Sequence, residues 1–216
     1  MGRQEMRRKV HEPLRRAGLE VLEGGVPEAP LPVFAVGVTV GCGEGTGRRN
    51  ATVGFDDPHL VERANRDWYE LATSSGLFGP DREFLLALPA RRYNPRVDLD
   101  QPYAWRRVRL LDRWDVMGAA CAIRRGRNVL GFDDCVLGSR AGRPEFRMLS
   151  LDSSVSLVGT TEQHAIGSFT VPDPGGTEAV RRLLDWAANG AEWSREQRAA
   201  AVAWLRRHEP AVADPA

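Results

Sequence analysis

The chain of 216 residues carries 30 basic and 29 acidic side chains, a formal net charge of +1, and is 42% hydrophobic. This balance gives no electrostatic case for a nucleic-acid or membrane partner, and a chain of this length and composition reads as a soluble globular protein with its own core. No run approaches the ~18 apolar residues of a membrane span, and the basic N-terminus lacks the apolar stretch of a secretory signal.

Three cysteines, Cys42, Cys121 and Cys135, form no C-x-x-C pair. That argues against a disulfide framework or a zinc knuckle, and a cytoplasmic location is expected. Lys9 is the only lysine, and Ile123 and Ile166 are the only isoleucines. A bias spread over the whole chain points to a GC-rich, bacterial-type coding genome rather than to selection for guanidinium groups.

In chain order, residues 1–10 read as a flexible basic arm. Pro13 then opens a short helix, with Leu14, Ala17, Val21 and Leu22 on one face and Gly24-Gly25 after it. "VFAVGVTV" (33–40) is rich in β-branched residues and reads as a strand. The glycine-rich "GCGEGTGRRN" reads as a turn, and "ATVGF" as the strand returning from it. Asp57-Pro58 is a helix-start signal: aspartate suits an N-cap and proline N1. Leu60, Ala64, Trp68 and Leu71 then recur at helical spacing, closed by Gly76. "GPDREFLLALP" reads as a second short helix between prolines.

Beyond a loop at 91–102 the texture changes. "YAWRRVRLLD", "VMGAACAI", "NVLGFDDCVL", "EFRMLSLD", "SVSLVG" and "AIGSFTV" are six candidate strands separated by turn signals. Two helices end the chain. The first places Val180, Leu183, Leu184 and Ala187 on one face. The second starts with a capping box at Ser194 and Gln197, with Trp193 as a staple.

The expected fold is α+β: an antiparallel meander of about six strands, an N-terminal helix–β-hairpin–helix segment (11–90), and two C-terminal helices closing a strand-rich half (103–209). Residues 210–216 read as a frayed tail. The two segments are either separate or one integrated domain.

The stretch "GFDD" occurs twice, ending at Asp57 and at Asp134. Paired carboxylates bind divalent metals or divide acid and base roles, so Asp56, Asp133, Asp134 and His164 are candidate catalytic residues. Asp57, His59 and His164 would be the corresponding metal set, and Cys42 or Cys135 with His164 a nucleophile pair, but none has a diagnostic spacing. Gly41, Gly43 and Gly45, with Arg48 and Arg49, are a candidate anion nest. Residues 91–127 hold ten arginines against four aspartates, and residues 54–90 seven acids against three arginines. The basic segment is therefore expected to pack beside the acidic one, or else to present a basic face to an anionic ligand.

"VTVGCGEGTGRRNATVGFDD" resembles the cofactor region of class I S-adenosylmethionine methyltransferases. The resemblance covers about thirty residues of the chain, through "PHLVERAN". It implies a strand running into a loop at Gly41, Gly43 and Gly45, with Asp56 binding the ribose. The residues themselves allow another reading. Only eight residues separate Gly47 from Asp56, whereas a parallel crossover needs roughly a dozen, and a hairpin turn uses the same glycines.

The leading functional expectation is a binding or accessory protein that recognises a protein partner or small ligand and has no complete catalytic motif. The first alternative is a metal-dependent or hydrolytic enzyme using the aspartates and His164. The second is a methyltransferase with a degenerate glycine loop. No cofactor is assigned.

Overall fold

A computed structural model describes residues 10–89, 103–121, 124–127, 133–134, 136–140 and 142–208. The fold is α+β, as expected. Its centre is a seven-stranded antiparallel sheet in the order β1-β4-β3-β9-β10-β11-β2. The strands are β1 (Leu19–Val21), β2 (Arg49–Gly54), β3 (Glu83–Pro89), β4 (Tyr103–Leu110), β9 (Phe146–Leu149), β10 (Val155–Thr161) and β11 (Ala165–Pro172). Two small ribbons stand apart from it: β5 (Arg124–Arg127) with β6 (Asp133–Asp134), and β7 (Gly138–Arg140) with β8 (Arg143–Pro144).

Helices cover both faces of the sheet. On one side lie α1 (Glu12–Arg16), α3 (Leu60–Ser74) and a π-helical turn at Val116–Ala120. Leu14, Trp68, Ala72, Met117 and Cys121 there pack onto Phe84, Leu86, Val108, Met148 and Leu157. On the other side lie α2 (Val33–Val36), α4 (Glu178–Asn189) and α5 (Arg195–Arg207). Ala35, Val180, Leu184, Ala201 and Trp204 pack onto Leu85, Ala87, Trp105, Leu149 and Val158. Successive strand residues point to opposite faces, so β3 supplies both cores.

This two-sided burial corrects one expectation. "EFLLALP" is an inner strand and not a short helix. A strand covered on both faces has no polar–apolar alternation, and a short apolar run does not distinguish strand from helix.

Residues 33–40 are also corrected. They form α2 and a 3₁₀ turn, Gly37–Gly41, rather than a strand. Ala35, Val36 and Thr39 are buried, and the Thr39 hydroxyl donates to the Val36 carbonyl at 2.7 Å. Packing against the sheet and α4 overrides the β-propensity of the valines. The strand expected at "ATVGF" does form, as β2, but its ladder partner is β11.

"VMGAACAI" is a third correction. Over 116–120 it winds as a π-helical turn because Asp115 accepts hydrogen bonds from the Gly118 and Ala119 N–H groups, at 2.8 and 3.0 Å. In "NVLGFDDCVL" only Asp133–Asp134 is assigned as strand, and residues 128–132 and 135 lie outside the described residues.

The first helix is a fourth correction: it ends at Arg16, and Leu19–Val21 pair with β4 as β1, so Val21 and Leu22 do not share a helical face with Leu14. Other local signals match their elements. Gly76 adopts φ 78°, the left-handed conformation suited to the residue after a helix, behind α3. The Ser194–Gln197 capping box opens α5 with both reciprocal bonds present. Among the described residues no helix is long and apolar enough to cross a membrane.

Candidate functional site

The first Phe-Asp-Asp ends β2. The Phe55 N–H donates to the His164 carbonyl at 3.0 Å, which sets Asp56 beside the β10–β11 turn that carries His164. Both Asp56 and His164 are exposed. Behind them the Arg143 guanidinium stacks on the Phe55 ring, 3.2 Å from its centroid.

Asp57 is committed to structure. Its carboxylate accepts the His59 N–H at 2.8 Å and pairs with Arg63. These interactions, the backbone bond first, hold its acid group below the usual carboxylate range. The residue immediately before α3 is His59 rather than Asp57, so Asp57 fixes the turn leading into the helix.

The second Phe-Asp-Asp sits elsewhere. Asp133 and Asp134 form β6, opposite Arg127 and Arg124 of β5, outside the main sheet. Their side chains, like Phe132 and Cys135, lie outside the described residues. One copy thus borders the large sheet and the other belongs to a small ribbon. Among the described residues no three His, Cys, Asp or Glu side chains gather as a metal site requires. Cys42 is buried, whereas His164 is exposed on a turn.

The glycine loop is wound rather than open. The N–H groups of Cys42, Thr46 and Gly47 donate to the Thr39, Gly43 and Glu44 carbonyls. Side chains added at Gly41, Gly43 or Gly45 would meet nothing within 4 Å, so no neighbour approaches these positions closely. Arg48 donates to the Cys42 carbonyl at 3.1 Å and stacks on Phe169, and Arg49 donates to Ser74 Oγ at 2.9 Å. The strand implied by the methyltransferase resemblance does not precede this loop, because residues 33–40 are helical.

The basic segment does pack beside the acidic one. Glu83, 4% exposed, accepts hydrogen bonds from Arg107 Nε at 2.6 Å and Arg109 Nη2 at 2.7 Å. Arg106 donates to the Trp105 carbonyl at 3.3 Å, and Arg82 pairs with Asp112. Arg107 and Arg109, candidates for gripping a small anion, therefore hold β3 to β4.

A different surface stands out. Trp186 on α4 is 55% exposed. Its ring meets Trp193 edge-on at 5.2 Å, and Trp193 lies 5.0 Å from Phe34 of α2. The three rings form an aromatic strip along the outer helical layer. Exposed Arg182, Asp185, Asn189 and Glu192 border it, with both charge signs present. Sequence reasoning missed this strip but had a signal for it: Trp186 falls off the Val180–Leu183–Leu184–Ala187 stripe. In comparisons with protein families, curated proteins and solved structures, nothing matches this chain.

Proposed function

We propose that this is a binding or accessory protein that recognises a protein partner through the strip Phe34–Trp193–Trp186. The observation that carries this reading is the exposure of Trp186 at 55% on a helix whose apolar stripe is already buried. An indole held by neighbouring rings loses little entropy on docking, and tryptophan is enriched among the residues that dominate binding energy. The mixed polar rim suits a protein surface with an apolar pocket better than it suits a charged small molecule. The buried free thiol of Cys42 supports a cytoplasmic setting.

A hydrolytic reading rests on the adjacency of Asp56 and His164 at the end of β2. It ranks second because Asp133 and Asp134 belong to a separate ribbon.

The test is a photoreactive residue at Asn189, beside Trp186. The crosslinked protein is identified, purified and titrated against this one. Direct binding that is lost in Trp186→Ala supports the proposal. Equal binding by the variant rejects it.

A further inference from the structure

A guanidinium carries five N–H donors, and taking it out of water without partners is costly. Every described arginine side chain that is partly buried has a hydrogen bond, an ion pair or an aromatic ring as its partner, with one exception. Arg147 of β9 is partly buried and has none of these among the described residues. The other arginines without such a partner, such as Arg113, are exposed to water.

The position of Arg147 keeps its head group close to the protein. Arg147 stands opposite Val158 of β10, and Val158 opposite Phe169 of β11, so the three side chains form one row across the sheet. Val158 and Phe169 are buried, and Val158 belongs to the core under α2. The guanidinium lies against Gly37, which opens the 3₁₀ turn after α2. A Cβ at Gly37 would stand 3.1 Å from both Nε and Nη2. Gly37 has φ −60° and ψ −29°, helical values open to any residue. The backbone therefore does not require glycine here. The close approach of Arg147 does.

The nearby charge is also positive. The Arg48 guanidinium stacks on Phe169, in the same row, and makes no ion pair among the described residues. Glu145 precedes Arg147 by two residues, and the Glu162 Oε1 lies 3.3 Å from where a Gly167 Cβ would be. Both glutamates are exposed, and neither pairs with Arg147.

We propose that Arg147 anchors a small-anion site that takes the carboxylate or phosphate group of a small molecule. Packing against Gly37 positions the guanidinium while its donors stay unspent, and its planar fork matches two oxygens of one such group. This site is separate from the aromatic strip and does not depend on what that strip binds.

Inorganic phosphate and acetate are the probes, each titrated at constant ionic strength so that screening does not change. The Arg147 Nε–H resonance, assigned by its loss in Arg147→Gln, reads the head group directly. A saturable shift is expected, and the more tightly bound probe identifies the group. Gly37→Ala keeps the charge but displaces the guanidinium, so the dissociation constant should rise about tenfold. The Nε–H of exposed Arg113 should show no saturable shift. Thermal unfolding gives a second readout. The bound probe should raise the midpoint of the wild type more than that of Arg147→Gln, since general salt stabilisation raises both alike. Circular dichroism checks that the variants fold. No saturable shift with either probe overturns the proposal. So does an equal shift at Arg113, the sign of an adventitious ion only, or an equal rise in midpoint for Arg147→Gln.

Discussion

Glu83 and Arg109 stand opposite each other in the register of β3 and β4, and the Glu83 carboxylate is bonded by both Arg109 and Arg107. Glu20 of β1 adds a longer contact to Arg109, at 3.9 Å, so charge alternates across three strands. The hydrogen bond from Arg109 and then that from Arg107 outweigh burial and hold the Glu83 acid group below the usual range. A folded-state pKa below the unfolded one stabilises the fold fully above the unfolded value. That contribution is lost as pH falls through the folded value. Glu83→Gln should therefore cost roughly 1.5–3 kcal/mol at neutral pH, the range for hydrogen bonds to charged groups. Urea titrations along an acid series should show the gap to wild type closing. A gap that stays constant into acid would contradict this role.

Gly159 of β10 lies opposite Phe146 of β9, whose ring would stand 2.4 Å from an added Cβ. Gly159→Ala forces the ring out of a packed core. It should cost about 1–3 kcal/mol, read as a lower urea midpoint with an unchanged slope. Phe146→Leu combined with Gly159→Ala should recover part of that loss, because the smaller side chain makes room.

The capping box at the start of α5 gives a third expectation. The Ser194 hydroxyl accepts the Gln197 N–H at 3.1 Å, and the Gln197 side chain accepts the Ser194 N–H at 3.0 Å. Ser194→Ala should lower stability by about 1 kcal/mol, whereas Ser194→Asp should keep most of it. Thermal unfolding of the three proteins checks the order.

These elements also show what was legible in the sequence. The α4 stripe, the α5 cap and the α3 spacing are local patterns, and each formed where the pattern placed it. β10 and β11 were legible because runs of β-branched residues lie between clear turns. "SVSLVG" extends past its glycine to Thr161, and the Phe146 ring of the neighbouring strand lies over Gly159. β3 was not legible because Leu85 and Leu86 are buried on opposite faces. Residues 33–40 were misread because their helical state depends on α4, some 140 positions downstream. At the candidate sites, the Asp57 turn and the off-stripe position of Trp186 were visible locally. The place of β2 at the end of the described sheet was not, because the pairing of Ala51 with Ser168 is a long-range fact.

Asn65 joins α3 to the π-helical turn. Its amide donates to Asp115 Oδ1 at 2.6 Å and its carbonyl accepts the Met117 N–H at 2.9 Å. Asn65→Ala leaves a partly buried N–H and one carboxylate lone pair without this partner, at a cost of about 1–3 kcal/mol. Local loosening should appear first as faster exchange of the Met117 amide, ahead of any global change.

The aromatic strip carries the functional account, and one titration decides it. The partner crosslinked through position 189 is titrated calorimetrically against the wild type, Trp186→Ala and, as an exposed control on β2, Thr52→Lys. The account predicts that Trp186→Ala weakens binding about 30-fold or more, the loss of a residue worth ~2 kcal/mol at an interface centre. Its stability should stay within ~0.5 kcal/mol of wild type, and Thr52→Lys should bind the partner normally. An unchanged dissociation constant for Trp186→Ala would contradict it.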